Sequence, residues 1–303
     1  MTSEKKLLDD LRGEIDQIDA EVHRLYRRRV EVVEEIAALK NSAGTGGATI
    51  RPGREAEILR RLIVRHQGPL PVEAIVRIWR EMISAVVALQ GPFSVVVYGG
   101  DDLLYFWDLA RAHYGSTTPM IHSPEGPAHV LHLVGEQPGA VGVLPAPGDI
   151  RTGAPAGESD AWWVALLLGD VRLKIFARLP FVLRDGESRE RDHALVVGPV
   201  EREQTGDDIT LLAIETAGEV SPSRFDGWLA GAGLEATRLD THYPTRDAPR
   251  RYYLYAAHDY VATGDNRLAL LRAAAGEEIL NVNILGGYAA PVVLARPKSD
   301  HGE

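Results

Sequence analysis

The sequence predicts a multidomain chain: an all-α module of three helices over residues 1–92, an α/β region over 93–205, and an α+β unit over 206–296. Three observations predict it. A helical apolar period runs from Leu7 to Leu39 and is followed by two shorter helical stripes. From Phe93 short apolar runs alternate with helical segments, the texture of α/β units. From Asp208 the runs read strand, helix, strand, strand, helix, strand.

Composition narrows the possible functions. With 45% apolar and 25% charged residues, the 303-residue chain has the balance of a soluble globular protein. The formal charge of −10 argues against a nucleic-acid partner and makes the N-terminal cations conspicuous, fitting a small anion. The chain contains no cysteine, which excludes disulfides, thiolate metal sites and a cysteine nucleophile. The opening MTSEKKLLDD lacks a signal-peptide apolar core, and no run approaches the ~18 apolar residues of a membrane span. A cytoplasmic location with no membrane partner is expected.

In the first element, Leu7, Leu8, Leu11, Ile15, Ile18, Val22, Leu25, Tyr26, Val30, Val33 and Ile36 hold a helical period for about nine turns. A pattern well beyond ~25 residues predicts a partner helix, most simply from a second copy of the chain. The helix should end near Asn41, with SAGTGGAT as a flexible loop. Pro52 suits the first turn of a second helix, whose Ile58, Leu59, Leu62 and Ile63 form a stripe. A third helix runs from Val72 to Gln90, with Ile75, Ile78, Trp79, Met82, Ile83, Val86 and Leu89 on its buried side.

Beyond it, SVVVYGG reads as strand and turn, DLLYFWDLARAHYG and GPAHVLHLVGE as helices, and AVGVLP as a strand. Residues 146–160 read as a loop, AWWVALLLGD and RLKIFARLPFVL as strands, DGESRERD as a charged turn, and ALVVGPV as a strand. The last unit has the order βαββαβ, the ferredoxin-like arrangement. Trp162 and Trp163 should pack in the core, and Gly99-Gly100 and Gly286-Gly287 read as turns. The ten histidines form no ligand pattern, so no metal is expected.

On the first helix Arg29 and Lys40 return to within about 20° of one face, roughly 16 Å apart along the axis. Arg12 lies about 100° around the helix from Arg29 and would reach a partner's groove more easily than its own. Together with Arg54, Glu55 and Gln90 they would suit a dianionic substrate bearing a hydroxyl and a polar oxygen. Each cation taken alone more often belongs to a solvated helix face.

The runs LLDDLRGEIDQIDAEVHRLYRRRVEVVEEIAALK, IRPGREAEILRRL and REMISAVVALQ resemble the all-helical class of chorismate mutases over nearly all of residues 5–91. The resemblance implies two intertwined three-helix subunits and an intramolecular Claisen rearrangement of chorismate to prephenate, without cofactor or covalent intermediate. It further implies that Arg12 arrives from the partner subunit. Arg29 would bind a carboxylate, Lys40 a carboxylate and the ether oxygen, and Gln90 the ether oxygen, these three being the catalytic groups. Arg54 would belong to the same site, and Glu55 would hold the substrate hydroxyl. The chain departs from the family at Arg51-Pro52-Gly53, where an acidic residue often precedes the second helix, and at Val86, where serine is frequent. Arg51 either adds to carboxylate binding or is simply exposed.

The order of the three parts resembles the bifunctional chorismate mutase/prephenate dehydratases. The Thr-Arg-Phe signature of the dehydratase part would fall at Asp192-His193-Ala194, and the usual polar loop is Ala146-Pro147-Gly148. A degenerate dehydratase-like region is expected, an unrelated α/β domain being the alternative. Residues 208–291 resemble an ACT domain, whose effector motifs would fall at Gly218–Ser221 and Leu239–Pro244 and are not intact. This unit either takes a different amino-acid effector or only dimerises, and the structural role is favoured.

Overall fold

The computed structural model describes residues 3–42, 50–147, 161–170, 172–185, 193–244 and 250–295. The loops expected over 43–49 and 148–160 and the charged turn over 186–192 lie outside them.

Helices α1 (Ser3–Ser42), α2 (Pro52–Arg65) and α3 (Val72–Gln90) form the expected helical module. α1 is one uninterrupted helix lying against α3, and most of its apolar stripe faces outward. Leu7 is 61% exposed, Leu25 52% and Leu39 70%. α2 starts at Pro52 because proline needs no amide partner in a first turn. It buries Ala56 and Leu59 against Phe181, with Val76 and Trp79 of α3 alongside.

α3 corrects one expectation. Ile83 and Val86 are buried as expected, but the buried face also takes in Arg80, Ser84 and Val87, whereas Ile78 and Leu89 are exposed. The helix carries two apolar faces. One packs on α4 (Leu103–Tyr114), where Val87 joins Phe93, Phe106, Ala110 and Tyr114. The polar Arg80 and Ser84 on that face hid it from a hydrophobicity reading.

The remainder is built on one nine-stranded sheet of order β2-β1-β3-β6-β4-β10-β7-β9-β8. Its first half comprises β1 (Ser94–Val97), β2 (Met120–His122), β3 (Ala140–Pro145), β4 (Lys174–Leu179) and β6 (Ala194–Gly198). α4, α5 (Pro127–Glu136) and α6 (Trp162–Leu168) accompany them. β1 pairs in parallel with β2 and β3, and β6 runs antiparallel to β3 and β4. The second half is β7 (Asp208–Thr216), α7 (Pro222–Gly231), β8 (Ala236–His242), β9 (Arg251–Ala257), α8 (Asn266–Ala275) and β10 (Ile279–Ala289). Its strand order β10-β7-β9-β8 is the ferredoxin-like arrangement expected from the βαββαβ run.

β10 also pairs with β4, so the two halves are one sheet and not two separate ones. Gly286 makes the junction: at φ +137 in a bulge, a Cβ there would lie 2.0 Å from the Ile175 carbonyl oxygen. Gly286-Gly287 is therefore a close approach inside a strand and not a turn. After the junction the chain leaves the sheet twice, as β5 (Val182–Arg184) and β11 (Val292–Leu294). These pair in parallel with each other, and Phe181, Val182 and Val292 pack on α2 and α3.

AWWVALLLGD forms helix α6 rather than the expected strand. A wholly apolar run carries no period to separate the two, and tertiary packing decides. Trp162 and Trp163 are core residues as expected, their indole N–H groups donating to the Pro145 carbonyl (2.9 Å) and to Asp240 Oδ2 (2.8 Å). The single strand expected over RLKIFARLPFVL is divided at Pro180 into β4 and β5. Strands β2 and β11 have three residues each, too short to announce a period.

Candidate active site

The six residues singled out in sequence lie on the three helices. Arg12 is exposed on α1 and its Nη1 sits 3.3 Å from Asp9 one turn earlier. Arg29 is half-buried on the same helix, and its Nη1 is buried without a hydrogen-bond partner. Burial also holds that guanidinium below its usual range. Lys40 is half-buried in the last turn of α1. Gln90 ends α3, with its Nε2 3.4 Å from the Val86 carbonyl, at the outer limit of a hydrogen bond.

The first turn of α2 supplies Arg54 and Glu55 on different faces. Arg54 is exposed and its guanidinium donates to Glu57 Oε2 at 3.0 Å. Glu55 points inward, and Arg80 Nη1 donates to its Oε2 at 2.7 Å with both side chains nearly buried. Burial raises the Glu55 carboxyl above its usual range, against the opposing pull of the Arg80 charge. Burial likewise lowers the Arg80 guanidinium, offset by Glu55. A buried pair of this kind survives only because each charge compensates the other.

This ion pair borders a cavity of about 20 Å³ between α2, α3, β4 and β10, also lined by His113, Arg178, Phe181 and Tyr288. Arg80 lies over the Phe181 ring at 5.6 Å and Arg60 at 5.9 Å, so the aromatic face meets two guanidiniums. Burial, then the Arg80 charge, keeps the His113 imidazole well below its ordinary range, so it is neutral near pH ~7. Burial pushes the Tyr288 phenol up to about 12.

The fold thus brings Glu55 to Arg80, whereas Arg12 and Arg54 engage carboxylates of their own helices. Sequence reading missed two partners of this region. Arg80 could have been found as a charged residue at the spacing of the α3 stripe. Glu203 could not: it reaches α2 from 149 positions away, where its carboxylate takes the Arg54 backbone N–H at 3.2 Å. Its other oxygen takes both Arg51 Nε, at 2.8 Å, and Arg51 Nη2. Arg51, left open between binding and exposure, is paired with a carboxylate of the chain itself.

In the last unit, the position expected for one effector motif is tied into the fold. The Val220 N–H donates to the Tyr253 hydroxyl at 3.0 Å, and Asp240 of the other motif receives the Trp163 indole. Among the described residues no group of three or more His, Asp or Glu is placed to hold a metal. Among them, too, no helix is long and apolar enough to cross a membrane.

The three helices thus carry the cations Arg12, Arg29, Lys40 and Arg54, the carboxylate Glu55 and the amide Gln90, with a largely exposed apolar stripe along α1. Residues 11–91 match the family described as Chorismate mutase type II, so the chain carries a domain of that family at its N-terminus. The bifunctional chorismate mutase/prephenate dehydratase of Neisseria gonorrhoeae is 34% identical over 119 residues, covering 39% of this chain and 32% of that protein. The protein of the same description from Aquifex aeolicus is 35% identical over 96 residues, 30% of this chain and 26% of its own. The chain therefore covers about a third of the length of the curated relatives it matches. The structure of prephenate dehydratase from Streptococcus mutans is similar at 14% identity and a TM-score of 0.46, over 67% of this chain and 100% of that one. The prephenate dehydratase of Arthrobacter aurescens, solved with L-Phe, has 14% identity and a TM-score of 0.45, over 69% and 95%. Similarity at that level says nothing about activity.

Proposed function

We propose that the protein is a cytoplasmic, dimeric chorismate mutase that converts chorismate to prephenate. The observation that carries this reading is the family match over residues 11–91, which spans all six polar positions singled out by the resemblance. The domain boundaries near residues 92 and 205 belong to the same reading.

In the proposed site Arg29, Lys40 and the partner subunit's Arg12 bind the substrate carboxylates, with Arg54 beside them. Glu55 accepts the substrate hydroxyl on Oε1 while Arg80 holds Oε2. As the ether bond breaks, charge accumulates on its oxygen, where Lys40 and the Gln90 amide donate. The rate enhancement comes from donors fixed before the reaction and from holding the two reacting ends together. The reaction moves no proton and needs no cofactor. Dimerisation is supported by the outward apolar stripe of α1, joined by Ile78 and Leu89 of α3, a surface too apolar to be left in water. The partly buried Arg29 guanidinium, with an unpaired Nη1, fits a group that awaits an anion.

The test is loss of chorismate absorbance with purified protein near neutral pH, followed by product identification with and without acid. Prephenate that becomes phenylpyruvate only after acid supports a mutase whose remaining region does not dehydrate. Phenylpyruvate without acid would support the second reading, a bifunctional enzyme, which the description of the Neisseria gonorrhoeae relative suggests and the missing Thr-Arg-Phe signature opposes. No turnover would leave a non-catalytic amino-acid-sensing or assembly subunit.

A further inference from the structure

The first turn of α2 carries two of the proposed substrate groups and lacks a cap of its own. Its N-cap residue is Arg51, whose side chain has no acceptor atom, and no side-chain capping bond comes from it. Pro52 needs no amide partner, and the Glu55 N–H is satisfied by the Arg51 carbonyl at 3.0 Å. The Arg54 N–H, third in the helix, is the donor that an N-cap aspartate or serine would ordinarily take. Here Glu203 Oε2 takes it at 3.2 Å. The other oxygen of the same carboxylate receives Arg51 Nε at 2.8 Å together with Nη2.

The fit is steric as well as polar. A Cβ on Gly53 would stand 2.6 Å from the Glu203 Cβ, so the helix start accepts only glycine while that glutamate is in place. A carboxylate at this position also meets the positive end of the helix dipole.

We infer that Glu203, in the segment between β6 and β7, is a positioning residue for the mutase site: it caps α2 from a distant part of the chain and so fixes the turn from which Arg54 and Glu55 meet the substrate. The acidic group missing from residues 51–53 is supplied by the region that follows the mutase domain. That region is then a working part of the site and not only an appendage. The inference rests on the mutase reading above.

Steady-state chorismate kinetics of full-length E203A, E203Q, G53A and R60M, each with its thermal unfolding midpoint, test it. Arg60 anchors α2 to the same segment, donating to Thr205 Oγ1 at 2.9 Å and to the Asp207 and Ala290 carbonyls at 2.8 and 2.9 Å, but two turns from the cap. E203A and G53A should raise KM about tenfold with kcat changed less than about twofold, because the groups they misplace hold parts of the substrate that do not react. E203Q, which keeps an oxygen for the Arg54 N–H, should raise KM about threefold. R60M should lower the unfolding midpoint and leave KM within about twofold of wild type. An unmoved KM in E203A, or a KM that follows the unfolding midpoint equally in E203A and R60M, would overturn the inference alone. A wild-type protein that forms no prephenate would overturn the mutase reading and the inference with it.

Discussion

At the scale of single residues, catalysis is expected to depend on donors and stability on a buried ion pair. R29A should keep the fold and lose about 10²–10³ in kcat/KM, since one preorganised donor to developing or bound negative charge is typically worth that much. Circular dichroism and chorismate kinetics on the same preparation check it. Because Gln90 needs no protonation to donate, wild-type turnover at saturating substrate should stay nearly flat between about pH 6 and 8, and a collapse there would contradict the assignment.

Arg80 is a different case. R80M would leave the Glu55 carboxylate buried without its cation, at an expected cost of about 3–5 kcal/mol by denaturant unfolding. The sign of its pH dependence follows from the raised Glu55 carboxyl. The folded state then holds a proton that the unfolded state has released, so stability present at low pH is lost as pH rises through the folded value. R80M should be more destabilising at about pH 8 than at about pH 5. Arg80 was missed in the sequence although it stands at helical spacing from Ile83 and Val87, because a cation on that face breaks the apolar pattern. Glu203 was not legible, because its role comes only from the fold bringing the segment between β6 and β7 to the start of α2.

At the scale of elements, legibility followed period and length. α1, α4, α5 and the strands of the last unit have clear periods and appear where expected. α6 does not, because its seven residues are nearly all apolar and either conformation would bury them. The Gly286-Gly287 pair was misread for a related reason: glycine permits turns and close approaches alike, and only the β4–β10 contact tells them apart. G286A should cost roughly 2–4 kcal/mol, since it combines a disfavoured φ with a collision against the Ile175 carbonyl. Denaturant unfolding would check it, and an unchanged midpoint would contradict the junction described here.

At the scale of the whole molecule, the continuous sheet ties the ferredoxin-like unit to the rest of the chain beside the floor of the Glu55 cavity, where Tyr288 of β10 is half-buried. Its phenol, pushed up to about 12 by burial, keeps its proton folded while the unfolded phenol loses it near ~10. Stability should therefore fall as pH rises from about 10 to about 12. Burial raises Tyr114, Tyr253 and Tyr255 in the same direction, so Y288F should make the fall shallower by up to about 1.4 kcal/mol per pH unit without abolishing it.

The proposed dimer makes the strongest demand on the whole molecule, because each site takes Arg12 from one subunit and Arg29 from the other. The decisive measurement is chorismate turnover by R12A and R29A proteins separately, then after mixing under conditions that exchange subunits. Each alone should be nearly inactive, and the mixture should regain about a quarter of wild-type activity, because half of the dimers are then mixed and each holds one intact site. A mixture as inactive as its components, although subunits have exchanged, would contradict a site shared between two copies of the helical domain.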